Sequence, residues 1–376
     1  MSNWQLPEGI EELAGSQATI FESVRRCLLD IYNSWGYELV VPPMLEYVES
    51  LVLNSDSIDQ KTFKFLDSSS GRMVGIHADI TPQIARIDSK SAKPEDVSRY
   101  CYINTILQTK ADDFYASRSP IQAGAELYGY KGIEADVEII KLMIESLSIL
   151  KIDNLTLSLG NTSIFNSLCE SAELSSEDTA TLREIFRRKS LPDLAIFLDS
   201  NKIKEADKFS SLISLSGDDS ILAKALELFS DMEKITDSVN DLIELNNTFK
   251  DSNIDLMFDL GEVKAYEYHD GVVFAAYHSD FPKALAQGGR YNNLSQNFGS
   301  SRAATGFSFD LKYLIQQQDN FSIKAKVLTA PNDKDPKLNK LISELRAKGI
   351  TVRQDFKETG KSDFVIRNGD WALIKE

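Results

Sequence analysis

Apolar side chains at Ile20, Val24, Cys27, Leu28, Ile31, Tyr32 and Trp35 recur at spacings of three and four. That period wraps them into one buried stripe and predicts a long helix over 20–35. Gly36 stops it, and Tyr37-Glu-Leu-Val-Val-Pro-Pro43 follows as a strand closed by prolines. Further along, Thr62–Leu66 and Met73–His77 read as short strands around a Ser/Gly turn, and Glu134–Leu150 as a helix with Val137, Ile140, Ile144 and Leu147 on one face. Leu155, Leu157 and Leu159 alternate, the mark of a half-buried strand. Strand signals return at Ile254, Leu256 and Phe258 and from Val263 to Tyr277, where Asp270-Gly271 predicts a hairpin turn. Gly288-Gly-Arg-Tyr291 reads as a turn, and Ala304–Phe309 as a strand entering a helix over Leu311–Gln317.

Between these β-rich regions, 163–250 is polar and helical with Ser-rich breaks, and Ser175 with Asp178 marks a helix start. After Asn320 a small α/β unit is left, with a helix over Pro336–Lys348. The fold class expected is therefore α+β. Its core is an antiparallel sheet with flanking helices, formed by residues 1–160 and 251–320. A helical insertion is expected over 161–250 and a separate α/β domain over 321–376. At 376 residues, several domains are the natural expectation.

The chain has 41 basic and 57 acidic residues, a net charge of −16. Nucleic-acid affinity comes largely from Lys and Arg neutralising phosphates, so this balance weakens a nucleic-acid-binding role, although a local basic face would still allow one. No apolar run reaches the roughly 18 residues of a membrane span. The first residues carry neither a basic patch nor an apolar core, so no secretory signal is expected. Cys27, Cys101 and Cys169 lie far apart, which fits a reducing cytoplasm and argues against structural zinc. His77, His269 and His278 have no metal-ligand spacing and are expected to be packing or surface residues. No metal or cofactor is expected.

Gln122-Ala-Gly-Ala-Glu126-Leu-Tyr-Gly129 places Gln122 and Glu126 on one face of a strand, as Tyr266 and Tyr268 are on another. The first of these segments resembles the amino-acid-binding strand H-Q-x-G-x-E-x-x-G of histidyl-tRNA synthetases, a class II aminoacyl-tRNA synthetase family. Val263–Phe274 is similar to that family's R-G-x-x-Y-x-x-x-x-V-F motif, with Lys264 at the arginine and Tyr268 at the tyrosine. Ile76–Thr81 resembles L-R-P-E-G-T, with Asp79 for the glutamate and Thr81 kept. The helix–strand–proline order near the start is similar to the class II dimerisation motif, and Gly288–Tyr291 matches the turn before motif 3. Together the resemblance covers roughly residues 4–320, and the end of the chain is similar to a trimmed anticodon-binding domain.

This resemblance implies a pocket for free histidine. Asp79, Thr81 and Gln122 would take the ammonium, and Glu126 and Tyr268, with Tyr266 alongside, the imidazole. Lys264 or Arg118 would take the carboxylate. Acceptors suit the imidazole N–H groups, and an acidic partner makes affinity pH-sensitive. The ATP half departs from the pattern. F-R-x-E-R-P has become Leu107-Gln108-Thr-Lys110-Ala-Asp112, and G-F-x-x-G-x-E-R has become Gly306-Phe-Ser-Phe-Asp310-Leu-Lys312-Tyr313. Adenylate formation depends on cations around phosphates, and each lost donor of that kind costs on the order of 3 kcal/mol. Asp310, in place of a glycine, is expected to crowd and repel the nucleotide. No catalytic residue is expected.

Stretches such as SWGYELVVPPMLEY, ADITPQIARID, SPIQAGAELYG and YHDGVVFAAY are similar to the histidyl-tRNA synthetase-like regulatory subunits of ATP phosphoribosyltransferase. That likeness implies a non-catalytic partner of the short catalytic subunit, which it activates and through which histidine inhibits. It also implies dimers assembled with catalytic dimers into hetero-octamers. Two rival readings use the same pocket: an active histidyl-tRNA synthetase, and a stand-alone histidine sensor.

Overall fold

The computed structural model describes residues 4–52, 56–93, 95–111, 116–263, 269–299, 301–317, 327–357, 360, 362–367 and 370–374. Two compact units divide the chain, Met1–Asp319 and Asn320–Glu376. In the first, the strands are β1 (Glu38–Leu39), β2 (Leu45–Tyr47), β3 (Phe63–Leu66), β4 (Met73–Ile76), β5 (Ser98–Thr105), β6 (Ile121–Tyr128), β7 (Thr156–Asn161), β8 (Ser216–Gly217), β9 (Asp255–Asp259), β10 (Val272–Tyr277), β11 (Ala286–Arg290) and β12 (Ala304–Asp310). Nine of them form one sheet in the order β1-β5-β6-β12-β11-β10-β7-β9-β8, and β2-β4-β3 form a small second sheet. The large sheet is antiparallel except where β1 joins β5 and β7 joins β9.

Helix α1 (Gly15–Ser34) begins a turn before the apolar stripe. Val24, Leu28 and Tyr32 are its buried side, whereas Cys27 faces outward. The strand expected over 37–43 shortens to the two residues of β1. Short helices α2 (Val48–Val52) and α3 (Asp56–Lys61) precede α4 (Thr81–Ser91), which starts with Pro82 in its first turn. Helix α5 (Glu134–Ser148) buries Ile139, Ile140, Met143 and Leu147.

Between β7 and β9 run α6 (Thr162–Ser171), α7 (Ser176–Arg187), α8 (Leu191–Ser200), α9 (Ala206–Leu212), α10 (Ser220–Leu228) and α11 (Glu233–Phe249), interrupted only by β8. Ser175 caps α7 as its sequence suggests, its Oγ accepting from Asp178 N at 3.0 Å. Helix α12 (Leu311–Gln316) follows β12 directly.

Gly288-Gly-Arg-Tyr291 is not the turn expected. Residues 286–290 form β11, paired with both β10 and β12. The glycines are needed there because the sheet is crowded: a Cβ on Gly288 would lie 2.1 Å from the Gly306 carbonyl oxygen. The Asp270-Gly271 step precedes β10, but the first arm of the expected hairpin lies outside the described residues.

In the second unit, β13 (Val327–Pro331) pairs in parallel with β14 (Thr351–Asp355), and β15 (Phe364–Arg367) in antiparallel fashion with β16 (Asp370–Leu373). Helix α13 (Pro336–Ala347) buries Leu338, Ile342 and Leu345 in this unit's own core.

Candidate functional site

The middle of the large sheet sets β6 between β5 and β12. Register puts Gly306 opposite Glu126 and Gly124 opposite Tyr102. Directly opposed residues share a face, so the missing side chain at 306 makes room for the Glu126 carboxylate. A Cβ at Gly306 would lie 1.6 Å from Glu126 Oε2.

Glu126 is 1% exposed. Its Oε1 accepts from Thr81 Oγ1 at 2.9 Å and from the Tyr102 hydroxyl at 3.0 Å. Its Oε2 accepts from the Tyr291 hydroxyl. Burial disfavours the anion, and although these three hydroxyls pull the other way, the carboxyl is pushed up to about 8. Burial likewise drives the Tyr102, Tyr128 and Tyr291 phenols well above their usual value. They therefore stay protonated donors. The surrounding core of Ile80, Ile84, Tyr102, Tyr128, Tyr291 and Leu294 keeps water away.

Four residues earlier, the same strand supplies Gln122. Its Nε2 donates to Asp79 Oδ1 at 2.9 Å, and its Oε1 accepts from Ile80 N at 3.0 Å. Thr81 N donates to Asp79 Oδ1 at 3.3 Å. Asp79 and Gln122 thus satisfy N–H groups at the start of α4, which a helix leaves without intrahelical partners. The structure brings Asp79, Thr81, Gln122 and Glu126 into one connected network. Thr81 and Glu126 line a cavity shared with His269, Gln287, Gly288 and Tyr291, and Asp79 and Gln122 line a separate recess with Ala78 and Gln108. Burial lowers the His269 ring to about 3, which keeps it neutral. Among the described residues, no group of three His, Cys, Asp or Glu side chains is placed to hold a metal ion.

Helix α4 is fixed from its other side. Gln83 Nε2 donates to Pro43 O and to Glu46 Oε1, both at 2.8 Å, and Arg86 grips Glu46 with Nε at 3.0 Å and Nη2 at 2.6 Å. His77 is buried between Gln83 Oε1 at 2.6 Å and Thr105 O at 2.8 Å. This histidine is a packing residue.

Arg118 is elsewhere. Its Nε donates to Gln108 O at 3.1 Å and its Nη1 to Glu8 O at 2.9 Å, with the guanidinium 5.4 Å from the Phe63 ring centre. These bonds hold the strap 8–11 against the loop. Lys264, Tyr266 and Tyr268 lie outside the described residues. Tyr102 and Tyr291, which hold Glu126, were not singled out from sequence as site residues. Tyr102 lies in β5, and Tyr291 ends the Gly-Gly-Arg-Tyr segment.

The residues that depart from the ATP-binding pattern have other work. Gln108 is buried and donates from Nε2 to Ala78 O at 3.2 Å. Asp310 Oδ1 accepts from Lys312 N at 3.1 Å, Tyr313 N at 3.2 Å and Ile121 N at 3.2 Å, so it caps α12. The buried Lys312 ammonium bonds Ser117 Oγ at 3.1 Å, Ser119 Oγ at 2.9 Å and the Ser119 carbonyl. Burial lowers that ammonium's pKa, opposed by Asp310 and Glu11.

A nine-stranded sheet with a carboxylate pocket at its centre and a helix entering from the N-terminal side is the class II aminoacyl-tRNA synthetase-like α+β fold. Two solved structures share it. One, titled an ATP phosphoribosyltransferase regulatory subunit/histidyl-tRNA synthetase from Bacillus halodurans C, superposes with TM-score 0.83 at 24% identity over 96% of this chain and 95% of that one. The other is histidyl-tRNA synthetase from Nostoc sp. PCC 7120, with TM-score 0.77 at 17% identity over 95% and 86%. The histidyl-tRNA synthetase family matches residues 9–314. The chain is 40% identical over 382 residues to the ATP phosphoribosyltransferase regulatory subunit of Thioalkalivibrio sulfidiphilus, covering 100% of this chain and 96% of the relative. It is 38% identical over 385 residues to that of Marinomonas sp., covering 99% and 97%. The chain belongs to the family of ATP phosphoribosyltransferase regulatory subunits.

Proposed function

We propose that this chain is the non-catalytic subunit of an ATP phosphoribosyltransferase complex. In this reading it activates the short catalytic subunit and binds free histidine in the Asp79–Thr81–Gln122–Glu126 pocket. It thereby relays feedback inhibition in histidine biosynthesis. The observation that carries the reading is the contrast within one cleft. The amino-acid half keeps a connected network of Asp79, Thr81, Gln122 and Glu126, whereas Gln108 and Tyr313 stand at the two positions where the synthetase pattern has arginines for phosphates. The names of the relatives support the partnership with a catalytic subunit, and the dimer-based hetero-octamer belongs to the same proposal. So does the absence of tRNA from its partners.

Feedback requires histidine to favour the inhibited arrangement over the active one, since a ligand with equal affinity for both shifts nothing. The test is reconstitution with the short catalytic subunit, with histidine titrated by calorimetry and activity followed by phosphoribosyl-ATP formation. Glu126→Ala is expected to abolish histidine sensitivity while activation persists. Sensitivity unchanged in that variant would refute the pocket. Histidine-dependent ATP–pyrophosphate exchange by the isolated chain would refute the non-catalytic assignment.

A further inference from the structure

His269 and Tyr291 both line the cavity that holds Glu126, and one carboxylate, that of Asp270, sets the chain around both. Asp270 follows His269 directly. Its Oδ1 accepts from Asn292 N at 2.9 Å and Asn292 Nδ2 at 3.0 Å, and its Oδ2 from Asn293 Nδ2 at 2.7 Å. Asp270 N in turn donates to Arg290 O at 2.9 Å. These bonds grip the chain on either side of Tyr291, whose hydroxyl holds Glu126.

The same short segment is bound to the start of the helical insertion. Thr162 N donates to Gly271 O at 2.9 Å, and Thr162 Oγ1 to Gly271 O at 3.2 Å and His269 O at 3.4 Å. Ser163 Oγ donates to Asp270 O at 3.0 Å. Three consecutive carbonyls, 269 to 271, are thus held by the first two residues of α6. Asn161 fixes that turn from behind. Its Oδ1 accepts from Ser163 N at 3.0 Å, and its Nδ2 donates to Ser238 O on α11 at 3.5 Å.

From α6 the contacts run on through buried rings. Phe165 packs edge-on against Phe186 of α7 with ring centres 4.9 Å apart, and Phe186 against Phe209 of α9 at 6.4 Å. A close-packed interior transmits strain because it has little slack to absorb it. Thr162 and Ser163 are not among the residues lining the Glu126 cavity, so their hydroxyls can be removed without altering its wall.

We propose that residues 269–271 form a clamp that couples the ligand cavity to the helical insertion. Asp270 positions the His269 and Tyr291 walls, and the Thr162 and Ser163 hydroxyls carry ligand-dependent ordering of the clamp into α6. The inference rests on the histidine reading above and adds the route by which occupancy leaves the pocket. A ligand held against His269 and Tyr291 restrains the segment between them and α6. Coupling by ordering needs no large displacement, and it is read in amide exchange.

The test is hydrogen–deuterium exchange on the full chain with and without saturating histidine, saturation being set by calorimetry on the same samples. Three proteins are compared: the wild type, Thr162→Val/Ser163→Ala, and Thr162→Ser/Ser163→Thr, which keeps both hydroxyls. In the wild type, histidine is expected to slow exchange at the start of α4 and in α6 by about threefold or more. The hydroxyl-free variant should keep the effect at α4 and lose it in α6, and the hydroxyl-keeping variant should keep both. A purely structural role would change the basal exchange of α6 but not its response to histidine. Wild-type protection confined to α4 would overturn the proposal, as would full α6 protection in the hydroxyl-free variant. If calorimetry shows no histidine binding by the wild type, the pocket reading itself fails and takes the clamp with it.

Discussion

Glu126→Gln separates the electrostatic cost of the buried carboxyl from its hydrogen bonds. In the folded protein the group titrates at about 8, against 4.5 for an unperturbed glutamate. Between those values the native state holds a proton that the unfolded chain has released, so stability falls as pH rises. The difference in the two values amounts to about 5 kcal/mol once pH exceeds 8, and to about 3 kcal/mol at pH 7, at about 1.4 kcal/mol per pKa unit. The group is fully buried, so solvent screening takes little from these figures. Glutamine does not titrate, and its altered bonding to Thr81, Tyr102 and Tyr291 adds only a pH-independent offset. The wild type should therefore lose stability relative to Glu126→Gln steadily between about pH 4.5 and 8, and run parallel to it outside that window. Guanidinium unfolding of both proteins across pH 5 to 9 measures this. A difference that stays flat within about 0.5 kcal/mol, or that moves the other way, would refute the argument that desolvation governs the site.

Three further perturbations address separate parts of the structure. Gly306→Ala places a methyl 1.6 Å from Glu126 Oε2, and three hydroxyls leave the carboxylate no route of retreat, so histidine binding by calorimetry should be lost; binding within threefold of wild type would refute the tight pairing of β6 and β12. Arg290→Met strips the partner from Asp136, which is fully buried and bonded to Arg290 at 2.5 Å and 3.0 Å. An uncompensated buried charge costs about 3–5 kcal/mol, to be read from the denaturation midpoint. Asp310→Ala removes the α12 cap and should cost about 1–2 kcal/mol; equilibrium dialysis should still detect no ATP binding, because the arginine positions stay Gln108 and Tyr313.

Much of the core was legible because its residues obey simple periods. Leu155, Leu157 and Leu159 alternate on β7, and Val24, Leu28 and Tyr32 follow the helical repeat of α1. Gln122 and Glu126 share a strand face, and both enter one hydrogen-bond network with Asp79 and Thr81. The failures come where side chains carry no pattern. Gly288 and Gly289 have none to alternate, so β11 looked like a turn, although crowding between strands is what demands glycine there. Cys27 fits the apolar stripe by spacing yet faces solvent, because α1 buries only a narrow edge. Arg118 has the charge expected for a ligand carboxylate, and the structure adds what spacing does not show, that its Nη1 and Nε donate to the carbonyls of Glu8 and Gln108. Sequence cannot rank backbone acceptors that become neighbours only after folding. Tyr102 meets Glu126 from β5 and Tyr291 from the residue after β11, a convergence of distant positions that no local window contains.

The bare backbone at Gly306 also limits how ligand preference can be altered. With Glu126 pressed against it, that wall of the cavity has no side chain to enlarge, shrink or recharge, and adding one destroys the carboxylate's seat. Engineering toward a different amino acid therefore has to proceed through the other residues that line the cavity, His269 and Gln287 among them.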